Sequence, residues 1–245
     1  MIERLRILWF SRRLSKIPIS YDHYLNKYSQ YYRDLHPNLQ KIFRQRTYIA
    51  SKILIFKPVK FSVVTDEMKI LITSALIQIT FGLENYLLRR FKTILVVPNT
   101  YSFREYEALL GHVDFDENII VMSWPSVQEG FIIPDDAFNV AIHELAHALQ
   151  GEQLDPYSFS KFFSSLKMTK WEEEGIKELY KIRSKRHEFL SDYAGINMKE
   201  LFATCMECFF EQRQEFKVKV PRLYKLMTDL LKQDPTLTDN PMSKS

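Results

Sequence analysis

The stretch His143-Glu144-Leu145-Ala146-His147 decides how this chain is interpreted. Its two histidines are four residues apart, so on an α-helix both imidazoles lie on one face and their ring nitrogens can converge on one ion. Imidazole suits zinc, which lowers the pKa of a bound water from about 15.7 to about 7. Glu144 lies beside the first histidine, where it can take a proton from that water. The stretch therefore predicts a catalytic zinc site.

The alternative for this stretch is a helix that carries two unrelated histidines. With 6 His among 245 residues, the pattern arises by chance in roughly one chain in a hundred. The surroundings favour the metal site, because two strand-like runs rich in β-branched residues precede it, at residues 93–97 and 118–122. Residues 111–116 are predicted to connect these two strands.

The motif itself is predicted to lie on a helix that begins near Pro134 and ends at Gly151. Asp135 or Asp136 can cap the first amides of this helix. Residues 155–171 are rich in Ser and Phe, and we expect them to be irregular.

Most other segments also carry helical patterns. Helices are predicted at residues 20–60, at 66–88 with Asp66 as the cap, at 172–186, from Met198 onwards, and at 221–232. The chain shows no internal repeat. Together the elements predict an α+β, mainly helical, zincin-like domain with a short mixed or antiparallel sheet before the motif helix.

The length favours one domain rather than two. We expect this domain at residues 1–235, with a helical part at about 1–90 and a catalytic core at about 91–235. The polar tail at residues 236–245 is expected to be disordered.

Composition excludes several classes of protein. The net charge of +4 is too balanced to indicate nucleic-acid binding, and 6 Gly are too few for a Gly-rich phosphate-binding fold. Two cysteines, Cys205 and Cys208, are too few for a disulfide-stapled secreted domain, and we expect them to pack rather than react. No signal peptide or membrane-spanning stretch is recognised. We therefore expect a cytoplasmic protein without stable membrane association.

The excess of positive charge lies near the start of the chain, at residues 4–16. A solvated amphipathic segment is the first interpretation of this stretch. A weak contact with an anionic surface or partner is the second.

A catalytic zinc site needs a third protein ligand and an open fourth position. No histidine follows the motif closely, since residues 148–156 hold none. The candidates further along are His187, Glu188, Asp192, Glu200 and Glu207. Glu200 and Glu207 lie seven residues apart on one face of a mostly apolar helix, where inward carboxylates need a compensating cation. Residue types and spacing alone leave the choice between these two open.

Several further motifs follow the two histidines in a fixed order. They are Asp192-Tyr193-Ala194, Glu200-Leu201-Phe202-Ala203, Glu207, Phe209-Phe210, Leu223-Tyr224-Lys225-Leu226 and Gln233-Asp234-Pro235. In this combination they resemble the Mlc titration factor A family of zinc peptidases. The resemblance covers roughly residues 90–235, and the N-terminal third matches only in general character.

The resemblance implies a set of roles. The family's catalytic core is similar to the lethal-factor type of gluzincin, in which a glutamate ligand follows an active-site tyrosine by seven residues. Tyr193 and Glu200 have this spacing. By resemblance, the zinc ligands are therefore His143, His147 and Glu200. Glu144 is the general base, Tyr193 donates a hydroxyl to the oxyanion, and Glu207 orients a ligand imidazole.

Two functions from different classes follow. The first is a zinc-dependent metallopeptidase that hydrolyses short peptides in an aminopeptidase-like manner, with Glu144 as the general base. The alternative is a regulatory binding protein that sequesters a transcriptional repressor of sugar uptake, a role that the resemblance implies. A purely structural zinc site disagrees with a general base beside the ligands. We also expect residues 118–122 to act as an edge strand that binds substrate backbone.

Overall fold

The structure is a computed structural model that describes residues 17–60, 62–103, 106–154 and 162–237, without the side chains of residues 106 and 107. The basic segment at residues 4–16 lies outside the described residues. So do residues 238–245, most of the tail predicted to be disordered, and residues 155–161 of the stretch predicted to be irregular.

The first described part of the chain is helical, as predicted. It contains α1 (Ile19–Tyr28), α2 (Gln30–Arg33) and α3 (Pro37–Ile53). The prediction of helix up to residue 60 was wrong at its end, because Leu54 adopts an extended conformation and strand β1 (Ile55–Pro58) follows. Pairing with a distant strand fixes these four residues, and a local helical pattern does not contain that information.

Helix α4 (Asp66–Thr80) runs through the centre of the molecule, and every residue from Ile70 to Thr80 is buried. Its N-cap is Thr65, whose hydroxyl accepts a hydrogen bond from the amide of Met68 at 3.3 Å, so the predicted cap Asp66 was wrong. The helix ends at Thr80 rather than at residue 88.

The sheet has four strands in the order β1, β2 (Thr93–Val97), β6 (Ile119–Ser123), β5 (Gly111–Asp114). The first three are parallel and β5 is antiparallel to β6. The two predicted strands are present, but residues 111–114 form a strand rather than the connection we expected. Their residue types have weak strand propensity, and pairing with β6 supplies the order.

The predicted role of residues 118–122 as an edge strand was wrong. Strand β6 lies between β2 and β5, so its backbone groups are already paired on both sides. The strand at that end of the sheet is β5. A short hairpin that the sequence did not reveal, β3 (Tyr101–Phe103) with β4 (Tyr106–Leu109), immediately precedes it.

Two helices follow the sheet. Helix α5 (Trp124–Ile132) was not predicted, and helix α6 (Val140–Leu154) carries the motif. Asp135 and Asp136 lie before α6 and do not cap it, and Gly151 does not stop it. A Cβ atom at Gly151 would lie 2.5 Å from the ring of Phe91, so this glycine permits close packing inside the helix.

The remaining described residues form four helices and one 3₁₀ turn. They are α7 (Ser165–Arg183), the turn Asp192–Gly195, α8 (Met198–Glu211), α9 (Arg213–Lys219) and α10 (Pro221–Leu231). Helix α7 begins seven residues before the predicted start at 172, so part of the stretch expected to be irregular is helical. Cys205 and Cys208 are buried on α8 without a disulfide, in the packing role predicted for them.

Distant parts of the chain meet at Gln233, which has no exposed surface. Its side-chain oxygen accepts a hydrogen bond from the hydroxyl of Tyr31 at 2.6 Å, and its amide nitrogen donates to the carbonyl of Gln78 at 2.9 Å. The architecture confirms the predicted α+β, mainly helical class with a small mixed sheet before the motif helix. Among the described residues, no helix combines the length and the apolarity that a membrane crossing requires.

Glu152 near the end of α6 stabilises the loop before β2. Its Oε1 accepts hydrogen bonds from the amides of Arg89, Arg90 and Phe91 at 2.7, 2.5 and 3.1 Å, and the residue is 2% exposed. Glu152→Ala should lower the free energy of unfolding by about 3 kcal/mol, because it leaves three backbone donors without an acceptor, one buried and two part-buried. Urea unfolding measures this loss.

The control for Glu152→Ala is Glu173→Ala, on the exposed face of α7. This change should cost less than about 0.5 kcal/mol. Equal losses in the two variants would show that the Glu152 carboxylate does not hold the loop.

Candidate metal centre

Packing of α6 against α8 brings the predicted ligand side chains together. His143 and His147 lie one turn apart on the same face of α6. Glu200 is in the first turn of α8, whose start is fixed by Asn197: its side chain accepts hydrogen bonds from the amides of Lys199 and Glu200. This cap determines where on α8 the carboxylate of Glu200 lies.

The three side chains form a triangle of ligand atoms. Nε2 of His143 lies 3.1 Å from Oε2 of Glu200 and 3.1 Å from Nε2 of His147, and Nε2 of His147 lies 3.3 Å from Oε2 of Glu200. Two facing imidazole nitrogens repel each other unless a proton or a cation lies between them. Within the described part of the chain, this is the one group of three His, Cys, Asp or Glu side chains whose ligand atoms meet so closely.

The other candidates for a third ligand lie elsewhere. Nε2 of His187 lies 3.2 Å from Oε2 of the buried Glu178, and Asp192 pairs with Lys185 at the surface. Glu188 is exposed. None of the three candidates is part of the triangle.

Glu207 is not part of the triangle but contacts the other ring nitrogen of His143. Its Oε2 accepts a hydrogen bond from Nδ1 of His143 at 2.9 Å, and its Oε1 accepts one from the amide of Asn139 at 2.8 Å. Glu207 is 4% exposed. It therefore fixes the orientation of the His143 ring, which leaves Nε2 of that ring to face Glu200 and His147.

The charges of the triangle are strongly coupled. Burial by itself lowers the pKa of His143, but hydrogen bonds to Glu200 and Glu207 outweigh burial and raise this pKa to about 10. Burial by itself raises the pKa of Glu200, and its contacts with His143 and His147 reverse this and hold the pKa well below its ordinary value. The cluster therefore favours a negatively charged Glu200 beside positive charge.

Glu144 points into the same space but is not part of the triangle. It is 6% exposed, and its Oε2 has no hydrogen-bond partner among the described residues. Burial raises its pKa to about 7, opposed by the neighbouring His143 and His147. A Cβ atom at Gly111 would lie 2.7 Å from Cγ of Glu144, so the glycine lets strand β5 lie directly against this side chain.

Tyr193 lies at the open side of the cluster, in the 3₁₀ turn before α8. Its ring centroid is 5.8 Å from that of His143, and the side chain is 52% exposed. Burial of part of the ring raises the pKa of its hydroxyl, and the negative charge of Glu200 raises it further. The hydroxyl therefore stays protonated at neutral pH and is able to donate a hydrogen bond.

A cleft of about 480 Å³ opens beside these side chains. His143, Glu144 and Tyr193 line part of it. The rest of its lining is mostly apolar and includes Leu109, Leu110, Ala137, Phe138 and Val140. A cleft of this size and lining is typical of a site for a small ligand or a peptide side chain.

Sequence reasoning missed two residues at the site, Asn139 and Gly111. Asn139 caps the motif helix, since its Oδ1 accepts a hydrogen bond from the amide of Ile142 at 3.1 Å. An asparagine just before the apolar run is a known cap signal, but two aspartates competed with it. Gly111 begins a strand that local propensity did not indicate.

The fold and the cluster of possible metal ligands together resemble those of metallopeptidases. The sequence pattern of the glucose-regulated metallo-peptidase M90 family matches residues 6–232. The chain belongs to this family.

Curated relatives support the resemblance to Mlc titration factor A. The protein of that name from Escherichia coli O7:K1 (strain IAI39 / ExPEC) is 27% identical over 162 residues, which are 59% of this chain and 60% of the relative. Its counterpart from Shigella flexneri serotype 5b (strain 8401) is 29% identical over 122 residues, 47% of this chain and 45% of the relative. The chain thus spans between 45% and 60% of the length of these relatives.

Proposed function

We propose that this protein is a zinc-dependent peptidase with His143, His147 and Glu200 as the zinc ligands. The observation that carries the proposal is the triangle of ligand atoms with sides of 3.1, 3.1 and 3.3 Å. Ligand atoms at about 2.0–2.1 Å from a tetrahedral zinc ion lie roughly 3.3–3.4 Å apart, close to these values. Two imidazoles and one glutamate are also a ligand set that catalytic zinc sites use.

The neighbouring side chains fit the chemistry of peptide hydrolysis. A bound zinc ion would polarise the substrate carbonyl and make a water molecule acidic enough to attack it at neutral pH. Glu144, whose pKa is about 7, accepts a proton from the attacking water and returns it to the leaving amine. The hydroxyl of Tyr193 stabilises the negative charge that develops on the carbonyl oxygen.

The surroundings of the cluster support a peptide as the substrate. The apolar cleft accommodates a hydrophobic side chain next to the scissile bond. Strand β5 is an edge strand of the sheet and lies beside Glu144. An extended peptide can therefore add to it as a further strand. We propose β5 for this role, together with aminopeptidase-like cleavage of short peptides. The contact between Tyr31 and Gln233 supports one catalytic unit that spans most of residues 1–235.

A peptide-library digest tests this function. The zinc-loaded protein should cleave peptides, and prior removal of the metal with a chelator should abolish cleavage until zinc is added back. Release of single N-terminal residues would support the aminopeptidase character, whereas internal cuts would assign an endopeptidase. Equal product from loaded and chelated protein would contradict a metal-dependent reaction.

A second candidate function is the binding of a regulatory protein. The curated relatives are named for titration of Mlc, and by analogy we propose a transcriptional repressor of sugar uptake as a partner. On the surface of α7, Ile176 and Tyr180 are 57% and 71% exposed, beside the cationic Lys177 and Arg186. Exposed apolar side chains with a charged rim favour a protein partner. A cytoplasmic location, where thiols stay reduced, agrees with the unpaired cysteines.

A further inference from the structure

Asn139 uses all of its polar groups at the start of the motif helix. Its amide donates to Oε1 of Glu207 at 2.8 Å, and its carbonyl accepts from the amide of His143 at 2.9 Å. Its side-chain Oδ1 accepts from the amide of Ile142, and its Nδ2 donates to the carbonyl of Gly130 and to Oε1 of Glu211, both at 2.9 Å. Asn139 is 3% exposed. One small side chain thus joins α5, α6 and α8.

The environment leaves Asn139 little freedom. A Cβ atom at Gly130 would lie 2.8 Å from Cγ of Asn139 and 3.0 Å from its Cα, so α5 packs directly on this residue. On the other side Glu211 is held by Nδ2 of Asn139, and the second oxygen of Glu211 has no partner among the described residues. Burial raises the pKa of Glu211 to about 8. With this pKa the carboxyl group of Glu211 is largely protonated at neutral pH, and Nδ2 of Asn139 supplies the hydrogen bond to its Oε1.

Glu207 connects Asn139 to the cluster of ligand atoms. Its Oε2 accepts from Nδ1 of His143 and its Oε1 accepts from the amide of Asn139, so the two bonds together set the plane of the carboxylate. The position of that amide is in turn fixed by the three bonds of the Asn139 side chain. A carboxylate that holds a ligand imidazole needs this support, because a small misorientation of the ring weakens the bond to the metal.

We propose that Asn139 is a positioning residue of the metal site: its side chain fixes Glu207, and through Glu207 the ring of His143. This inference rests on the proposed function. It differs from a helix-capping role alone, because capping requires only the oxygen of the side chain. Aspartate caps a helix as well as asparagine does. The NH₂ group that holds Glu211 and Gly130 is supplied by asparagine and not by aspartate.

Asn139→Asp separates the two roles. The variant keeps the cap but loses both hydrogen bonds of Nδ2 and puts a carboxylate oxygen against the carbonyl of Gly130 and the carboxyl group of Glu211. We expect the zinc affinity to fall by about 10–100-fold, the range typical of lost support for a ligand. Competition of the full-length protein with a chromophoric chelator for zinc measures this, and the melting temperature of the metal-free protein reports folding separately.

A rescue and a matched control complete the experiment. In Asn139→Asp/Glu211→Gln, the new amide at position 211 can donate to the new carboxylate at position 139, and part of the zinc affinity should return. The control is Asn26→Asp, the same change at an exposed residue of α1 that is not part of the cluster and whose Nδ2 donates to the carbonyl of Asp22 at 2.9 Å. It should leave zinc affinity unchanged.

The outcomes distinguish this inference from the proposed function. If the wild type itself does not bind zinc, the proposed function fails. If the wild type binds zinc and Asn139→Asp binds it equally well, or loses no more than Asn26→Asp, the positioning role is wrong. Should Asn139→Asp not fold, Glu211→Ala decides, since it removes one of the two acceptors of Nδ2 and keeps the cap. Unchanged zinc affinity in that variant would overturn the proposal.

Discussion

Glu144→Gln should reduce kcat/KM on a responsive peptide by about 10²–10⁴-fold, the usual contribution of a general acid–base catalyst. The substitution keeps the size of the side chain and removes its ability to take a proton. Glu144 is not part of the triangle of ligand atoms, so zinc content should stay near that of the wild type. Hydrolysis and zinc content are measured on the same sample.

The comparison variant for this prediction is Tyr193→Phe, which removes one hydrogen-bond donor. It should cost no more than about 10²–10³-fold, the effect of one lost oxyanion donor. A zinc-replete Glu144→Gln protein with undiminished turnover would contradict the proposed mechanism. The same variant also separates the two candidate functions, since a repressor that binds on α7 should bind it as well as the wild type.

Loss of the third ligand should have the second large effect. Glu200→Ala removes one corner of the triangle and should abolish stoichiometric zinc binding at chelator concentrations that leave the wild type loaded. Glu207→Ala removes only the support of His143, and should weaken binding by about 10–100-fold. Zinc titration against a competing chelator ranks the two variants.

Asp192→Ala is the control for this pair, because Asp192 was a candidate from the sequence but lies at the surface beside Lys185. Its zinc affinity should equal that of the wild type. Stronger loss in Glu207→Ala than in Glu200→Ala would make Glu207 the ligand and Glu200 its support.

The elements that the sequence predicted well are those with strong local signals. The strand at 93–97 and the helix from Met198 were found because their β-branched or apolar residues recur at the period of the element. The contacts between the site residues followed in part from the same periodicity, which places Glu200 and Glu207 on one helix face. Spacing alone did not choose between them, since the choice depends on how α6 packs against α8.

The errors share one physical origin. Strand β5 has little intrinsic strand propensity and forms because β6 lies beside it. Gly151 looked like a helix end, yet the helix continues past it, and the glycine serves instead to let the ring of Phe91 pack against the helix. The cap at Asn139 depends on contacts with Glu207, Glu211 and Gly130 on other helices. Interactions between distant segments decided each case, and no local pattern contains them.

The hydrogen bond between Tyr31 and Gln233 has a consequence for the synthesis of the protein. The two residues are 202 positions apart in the chain. At a translation rate of about 5–20 residues per second, Tyr31 is made roughly 10–40 s before its partner exists. During this time the hydroxyl of Tyr31, which is buried in the folded protein, lacks its acceptor, and the N-terminal helices cannot reach their final packing. A growing chain therefore completes the packing around Tyr31, and with it the proposed peptidase, only after Gln233 has been made, which delays hydrolysis until that point of synthesis.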